Sequence, residues 1–565
     1  MCGICGFYGR KDRRLLEAMN SLLSHRGPDD DGFYEDDLAS LGHRRLSIID
    51  LSENARQPMH NEDSTVWMAV NGEIYNFKEL RTELEASGHI FHSHGDSEVI
   101  IHAYEQFGDN FVLKLNGMFA IAIWDLRQKK LILARDRLGI KPLYYTQNNS
   151  RLLFASEIKA ILEDSSFKKE LNEDGFFQYL AFQCILTQET MFKGIYKLQP
   201  ATMLIYKDNR LEKIKYWSAD ESFAQSSTEE EVVESLRNAV KSHLVSDVPV
   251  GVLLSGGLDS SSIVALMHEH DVENIETFTA GFNQPDDEFG FAREVSQRFK
   301  TRHHELVINP HELKGLLGKI VWHMDEPLAD GGAIATYLAG IKLKEFVKVV
   351  LVGEGGDETL GGYNWYKLSV FPFSLMPGEI KRKLYFYLTT FYNYSSRKPF
   401  DTFLSLFKDR ISFFDSMSGF EINNILPNSL MMKVDKMTMA HGLEARVPFL
   451  DYTFVSKACR LDYREKVSLS ATKVFFRKLM SGQLPGSILN RRKHGFLLPI
   501  DRWLQGELKD FTYDTLFSHS NQTGRLLPRN FKERLFKKKT GLANIENKSL
   551  LWKLLIFELW YKVFF

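Results

Sequence analysis

Four cysteines in 565 residues are too few for a disulfide framework, and so few fit a reducing compartment. No apolar run approaches the roughly 18 residues that a membrane-spanning helix requires. With a net charge of −2, the chain has no global electrostatic attraction to nucleic acid or to an anionic membrane. The amino terminus carries neither the basic region nor the apolar stretch of a secretory signal, so a cytoplasmic location is expected. Internal repeats and long low-complexity tracts are also missing. What remains, 44% hydrophobic and 25% charged, is ordinary for a globular protein. The chain is too long for one hydrophobic core, so two or three domains are expected.

A seam is read near residues 207–230. Lys207-Asp208-Asn209-Arg210 reads as a turn, and Ser218 to Thr228 is polar. Helical spacing follows from Glu229 to Leu244, with Val232, Val233, Leu236, Val240 and Leu244 on one face. Domains of 1–212 and 213–565 are therefore expected. Short β-rich runs precede the seam: Val66–Val70, Met118–Trp124, Leu131–Ala134, Leu152–Ala155 and Met203–Tyr206. Behind it, apolar strands alternate with longer helices, which predicts an α/β domain with a mostly parallel sheet.

The chain opens Met-Cys-Gly-Ile-Cys-Gly. Removal of Met1 would leave Cys2 with a thiol and a free α-amine, whose ordinary pKa of about 7.7–8.0 suits it as the base for its own sulfur. Cys2-x-x-Cys5 could also be a redox or zinc pair, but no second such pair completes a zinc set. An amide-splitting cysteine needs substrate anchors and oxyanion donors. Arg45, read as standing just before a strand, suits bidentate capture of a carboxylate. Asn71 and Gly72 follow the run Val66–Val70 and offer an amide and an unhindered N–H. Asp96, in Gly95-Asp96-Ser97-Glu98, offers a carboxylate for an ammonium.

These segments, with His25-Arg26-Gly27-Pro28-Asp29, Asn116-Gly117-Met118-Phe119-Ala120 and Ala134-Arg135-Asp136-Arg137-Leu138-Gly139, follow one another as in the class II glutamine amidotransferases, which they resemble. The resemblance implies an αββα N-terminal-nucleophile hydrolase sandwich. It also implies Cys2 as nucleophile, Asn71 and Gly72 at the oxyanion, and Arg45, Glu73 and Asp96 (with Asn71 and Gly72) around glutamine. His94-Gly95-Asp96 departs from relatives, which more often place a small hydroxyl residue before the aspartate.

In the second half, the apolar strand Val248–Leu254 runs into Ser255-Gly256-Gly257-Leu258-Asp259-Ser260-Ser261, followed by a helical run from Ser262 to His268. Such a turn aims backbone N–H groups at an anion. A second strand, Val347–Val352, leads into Gly353-Glu354-Gly355-Gly356-Asp357-Glu358, a crowding of carboxylates that makes sense beside Mg²⁺ and a triphosphate. Together with Asp325–Asp330, Lys433–Ala440, Leu443–Asp451 and Lys493-His494-Gly495-Phe496, these loops look like the ATP pyrophosphatase domain of glutamine-hydrolysing asparagine synthetases. That resemblance implies ATP against Leu254, Ser255, Gly256, Gly257, Asp259, Ser260, Ala280, Val352 and Gly353. It puts Asp259 and Asp357 on Mg²⁺, and Glu354 and Lys493 near the reacting acyl group.

The implied chemistry is ATP-dependent synthesis of asparagine from aspartate, with ammonia from glutamine and a β-aspartyl-AMP intermediate. Departures at Gly331-Gly332 and Leu497-Leu498 flank the expected acceptor pocket, so another carboxylate, such as a sugar acid, stays open. A homodimer is a family-level expectation. The aromatic stretch Tyr385, Phe386, Tyr387, Phe391, Tyr392 and Tyr394 is read as helix packing, and Leu551–Trp560 as an amphipathic closing helix.

Overall fold

Alternation of side chains with period two builds the first lobe. The structure, a computed structural model, describes residues 2–148, 151–282, 287–308, 313–390, 397–491, 500–518, 521–527, 535 and 542–565. Strands β1 (Gly3–Tyr8), β2 (Asp30–Glu35), β3 (Ala39–Arg45), β4 (Met59–His60), β5 (Val66–Ile74), β6 (Gly117–Asp125), β7 (Lys130–Arg135), β8 (Tyr144–Gln147), β9 (Leu152–Ala155), β10 (Tyr196–Lys197), β11 (Thr202–Lys207) and β12 (Arg210–Lys215) form two antiparallel sheets. Their orders are β10-β8-β9-β1-β3-β2 and β12-β11-β7-β6-β5-β4.

Ile4, Leu41 and Phe154 of one sheet meet Ala69, Ala122, Leu133 and Leu204 of the other. The alternate residues face outward. Cys5, Phe7 and Leu153 pack on Leu16 and Met19 of the helix Arg13–Ser21. Val66, Met68 and Ile121 pack on Leu80 and Ile100 of the helices Phe77–Ala86 and Val99–Phe107. The result is the expected helix–sheet–sheet–helix sandwich.

The second lobe opens on the helix Glu229–His243, where Thr228 and Glu231 form a reciprocal cap and three glutamates sit at the positive end. Parallel strands β13 (Val250–Leu253), β14 (Glu276–Gly281), β15 (Arg302–Val307), β16 (Val349–Leu351) and β17 (Glu444–Arg446) order as β15-β14-β13-β16-β17. The chain starts centrally, steps outward through β14 and β15, then returns on the other side of β13. Strand order therefore reverses between β13 and β16, where open α/β sheets place ligands.

Tyr385 and Phe386 are buried and pack on Phe403, Phe407 and Phe420, as helix packing requires; Phe391, Tyr392 and Tyr394 lie outside the described residues. The closing helix, Leu542–Phe564, is not amphipathic as expected. Residues 550–558 are all buried, Lys553 and Glu558 included, because this helix fills the space between lobes instead of covering one. Lys553 Nζ donates to Leu180 O (2.8 Å), and Glu558 accepts from Gln522 N and Thr523 N.

Between the lobes lies a dry lattice of charge. Arg26 donates to Glu157 Oε1 (2.9 Å) and to Asp435 Oδ2 (2.8 Å). Lys159 and Lys436 each reach Asp325 at 2.8 Å, and Lys141 reaches Asp435 at 3.5 Å. All of these side chains are 3% exposed or less, so each charge depends on its partners for compensation. Asp435→Asn leaves Arg26 and Lys141 short of an anion and is expected to cost about 3–5 kcal/mol. Guanidinium unfolding would register this as a lowered midpoint, and a midpoint equal to the parent's would contradict it.

Candidate active sites

Cys2 stands immediately before β1, Arg45 ends β3, Asn71, Gly72 and Glu73 lie within β5, and Asp96 sits in the loop that leads to Val99–Phe107. All but Asn71 line one small cavity, with Leu46 and Ile48. Asn71 adjoins it through its Oδ1, which accepts from Cys2 N at 3.0 Å. That bond leaves the amide Nδ2, buried, without a protein acceptor and free to donate to a ligand. At Gly72 a Cβ would lie 2.1 Å from the carbonyl oxygen of Met118, so only glycine tolerates the approach of β6. Cys5 turns to the opposite face, toward Asn20 (3.9 Å), and makes no pair with Cys2.

Two local expectations are corrected. Asn71 and Gly72 lie inside a strand and not behind it, because β6 pairs with β5 along its whole length, from Val66↔Asp125 to Ile74↔Gly117. Arg45 closes a strand and does not precede one, since the chain beyond it leaves the sheet. Its guanidinium donates to the carbonyls of Ser52 (2.8 Å) and Asp50, so its charge stays available.

The pocket is electrostatically unfinished. Burial raises the Cys2 thiol, opposed by the positive amino terminus and by the Leu46 backbone. Burial, reinforced by the charges of Glu444 and Asp96, pushes Glu73 well above the ordinary carboxylate range. Asp96 is pushed up to about 6 by burial, against the hydrogen bond its Oδ2 accepts from Ile74 N at 2.7 Å. A cation entering here would relieve both. One already approaches from the second lobe: Arg446 Nη2 lies 3.3 Å from Glu73 Oε2.

The second candidate is a cavity of about 490 Å³ at the reversal point. Leu254, Ser255, Gly257, Asp259, Ser260, Ala280, Val352, Gly353, Glu354 and Asp357 all line it; Gly256 lies within the same turn, off the wall. The helix starts at Leu258, earlier than the sequence suggested, which puts Asp259 and Ser260 in its first turn. Gly256 (φ +63°) makes the bend, and Ser255 Oγ bonds Ser260 Oγ (3.0 Å) and Gly257 N (3.2 Å). The two loops touch closely: a Cβ on Gly353 would stand 3.0 Å from that of Asp259, and one on Gly356 2.9 Å from its carboxyl carbon.

Lys473 was not foreseen from its surroundings in the chain. Its ammonium lies 2.6 Å from both oxygens of Asp259 and 2.7 Å from Asp357 Oδ1, on a backbone at φ +53° that favours glycine. Burial lowers the Lys473 pKa, but the two carboxylates outweigh it and hold it above the lysine range. Lys433, bonded to Asp330 at 3.1 Å, is held up in the same way. Glu354 is raised by burial, with Lys433 opposing. Asp259 and Asp357, hard oxygen donors that already share one cation, suit Mg²⁺. Lys493 lies outside the described residues; Arg491, just before, donates to Ser255 O at 3.0 Å.

Comparison with known proteins agrees with both halves. A glutamine amidotransferase domain model matches residues 1–217, and an asparagine synthase model matches residues 231–562. Asparagine synthetase [glutamine-hydrolyzing] 1 of Bacillus subtilis is 34% identical across 100% of this chain and 97% of its own. Asparagine synthetase [glutamine-hydrolyzing] 3 of the same organism is 34% identical over 87% of this chain and 86% of its own. The amidase chyE of Penicillium rubens is 35% identical over 62% of this chain and 55% of its own. On the span of these matches, and with two pockets of this composition in one chain, the protein belongs to the asparagine synthetase family of glutamine-dependent amidotransferases.

Proposed function

We infer that this chain makes asparagine from aspartate, ATP and glutamine-derived ammonia. The observation that carries the reading is the convergence of Cys2, Arg45, Asn71, Gly72, Glu73 and Asp96 on one pocket while Ser255–Ser260 and Gly353–Asp357 meet at another.

In the first pocket, Arg45 binds the glutamine carboxylate, and Asp96 with Glu73 binds its ammonium. After loss of Met1, the α-amine of Cys2 takes the thiol proton as Sγ attacks the amide carbon. Asn71 Nδ2 and Gly72 N–H receive the oxyanion. The amine then protonates the leaving nitrogen, ammonia departs, and water releases glutamate from the thioester. The buried seam suits ammonia, because the ammonium ion formed in water is no nucleophile.

In the second pocket, the Ser255–Ser260 turn and Lys473 hold the phosphates while the acceptor carboxylate attacks the α-phosphorus and pyrophosphate leaves. Mg²⁺ on Asp259 and Asp357 would draw charge from the leaving phosphates. Ammonia attacks the β-aspartyl-AMP carbonyl, Glu354 accepts its proton, and AMP leaves. Burial raises Glu354 toward the pH at which it works, as a general base requires. Lys493 would stabilise the tetrahedral charge. The four free cysteines fit work in the cytoplasm.

Gly331-Gly332 at the pocket edge, beside Asp330 and Lys433, favours one second reading: amidation of another carboxylate, such as a sugar acid. Mass spectrometry of products from ATP, glutamine and a panel of acids separates the two. An amide of a sugar acid, with aspartate untouched, would replace asparagine as the product.

Cys2→Ala is expected to abolish glutamine-dependent amide formation and to spare formation driven by ammonium salts. Equal loss of both would contradict separate sites. Because Asp96 titrates near 6, protonation below that value removes the anion facing the substrate ammonium. Glutaminase kcat/KM, already falling as the Cys2 α-amine protonates, should therefore steepen by about a further tenfold per pH unit below 6. A slope that does not steepen between pH 6 and 5 would remove Asp96 from ammonium binding.

A further inference from the structure

Glu62, His89, His102 and Glu105 present one ligand atom each, all within 4.8 Å of one another. They lie outside the residues assigned to glutamine, on and beside the helices Phe77–Ala86 and Val99–Phe107 that pack on β5. His102 and Glu105 share a face of the helix Val99–Phe107, His89 follows the helix Phe77–Ala86, and Glu62 sits in the turn between β4 and β5. His102 Nδ1 lies 3.7 Å from Glu62 Oε1 and 3.6 Å from Glu105 Oε2. His89 Nδ1 lies 3.8 and 3.9 Å from the same two oxygens. Zinc bonds of about 2.0–2.2 Å in a tetrahedron would set neighbouring ligands about 3.4 Å apart, so the four histidine–glutamate separations need close by only a few tenths of an ångström.

The side chains are poised for such an ion by what they lack. His102 is 1% exposed, and its ring nitrogens face carboxylates at 3.6–3.7 Å with no closer partner; Glu105 Oε2 is likewise buried and faces both histidines. The outward atoms are already held. Glu105 Oε1 accepts from Asn61 Nδ2 (2.7 Å), with Arg127 at 3.6 Å, which leaves Oε2 for the centre. His89 Nε2 faces Gln106 Oε1 at 3.4 Å, which favours a proton there and a lone pair on Nδ1. His102 Nε2 faces Glu98 Oε1 at 3.7 Å, the carboxylate–histidine relation that orients metal ligands.

We propose that Glu62, His89, His102 and Glu105 form a structural Zn²⁺ site, distinct from both candidate active sites. Two imidazoles and two carboxylates are a donor set that zinc accepts and Mg²⁺ disfavours. The ion ties three segments together. One of them continues directly from Glu98, whose carboxylate holds His92 N (2.8 Å) and Ser93 N (2.7 Å) beside the Asp96 loop. Zinc would thus brace the loop that carries Asp96.

The test is titration of the full chain, first stripped with a chelator, with Zn²⁺ alone. One tightly bound equivalent is expected, kept against a large excess of Mg²⁺, together with a raised thermal midpoint. His89→Gln and Glu105→Gln, both at the partly exposed rim, should weaken binding at least about 100-fold and abolish the midpoint shift. Co²⁺ in place of zinc should give the strong visible absorption of a four-coordinate ion, lost in His89→Gln. The proposal is overturned if the parent binds zinc no tighter than His89→Gln. It is equally overturned if Cys2→Ala or Asp357→Asn removes the ion, which would place it in an active site.

Discussion

The guanidinium of Arg446 is the constraint on which both pockets depend. It is wholly buried, and it is kept charged by Glu444 (2.5 Å), Glu73 (3.3 Å) and the carbonyls of His243 and Val245. A buried cation this far from water survives only through partners of this kind. Glu73 belongs to the cysteine pocket, whereas the backbone of Arg446 belongs to the parallel sheet: Leu351 pairs with it, and Val352 N donates to its carbonyl at 2.9 Å. Gly353 and Glu354 follow at once. One residue thus fixes a carboxylate in the first site and the floor of the second.

Arg26 plays a parallel part. Its Nε donates to the carbonyl of Cys2 (3.0 Å) while its other nitrogens bridge Glu157 and Asp435. Position of the sulfur is thereby tied to a helix of the opposite lobe. Apolar residues of similar volume could hold the lobes together as strongly, because desolvation offsets much of what ion pairs contribute. What charges add is direction: short, oriented contacts of this kind fix the relative placement of two lobes more narrowly than greasy surfaces do.

Local chemistry was legible in the sequence wherever it repeats or bends the chain. The glycine turn Ser255–Ser260 and the carboxylate-rich Gly353–Glu358 announced themselves because tight turns need particular residues. Of the apolar runs read as strands, all but Val66–Val70 end within a residue or two of the observed bounds, while the shorter and more polar strands such as β2, β4, β10 and β12 gave no such signal. Lys473 was invisible for the opposite reason. It stands 214 positions from Asp259, and a lysine between threonine and valine has no local signature. Arg446 was visible as part of a motif, but its contact with Glu73 depends on how two lobes dock. The closing helix misled because its lysine and glutamate read as a wet face, yet both find partners in the interior. Asn71 and Gly72 misled because the pairing of β5 runs on to Ile74, and the polar residues that end an apolar run need not end a strand.

The order in which these parts leave the ribosome has a consequence. Every residue of the cysteine pocket contributed by the first lobe has been made once Ser97 is added, long before Arg446. A nascent chain at that stage carries Glu73 without its buried cation and Cys2 without the Asp435 anchor behind Arg26. Trp552 and Trp560, which bond the carbonyls of Ala329 and Asp325, arrive later still. The surroundings of Cys2 and Glu73 are therefore completed only when the second lobe has been made and docked.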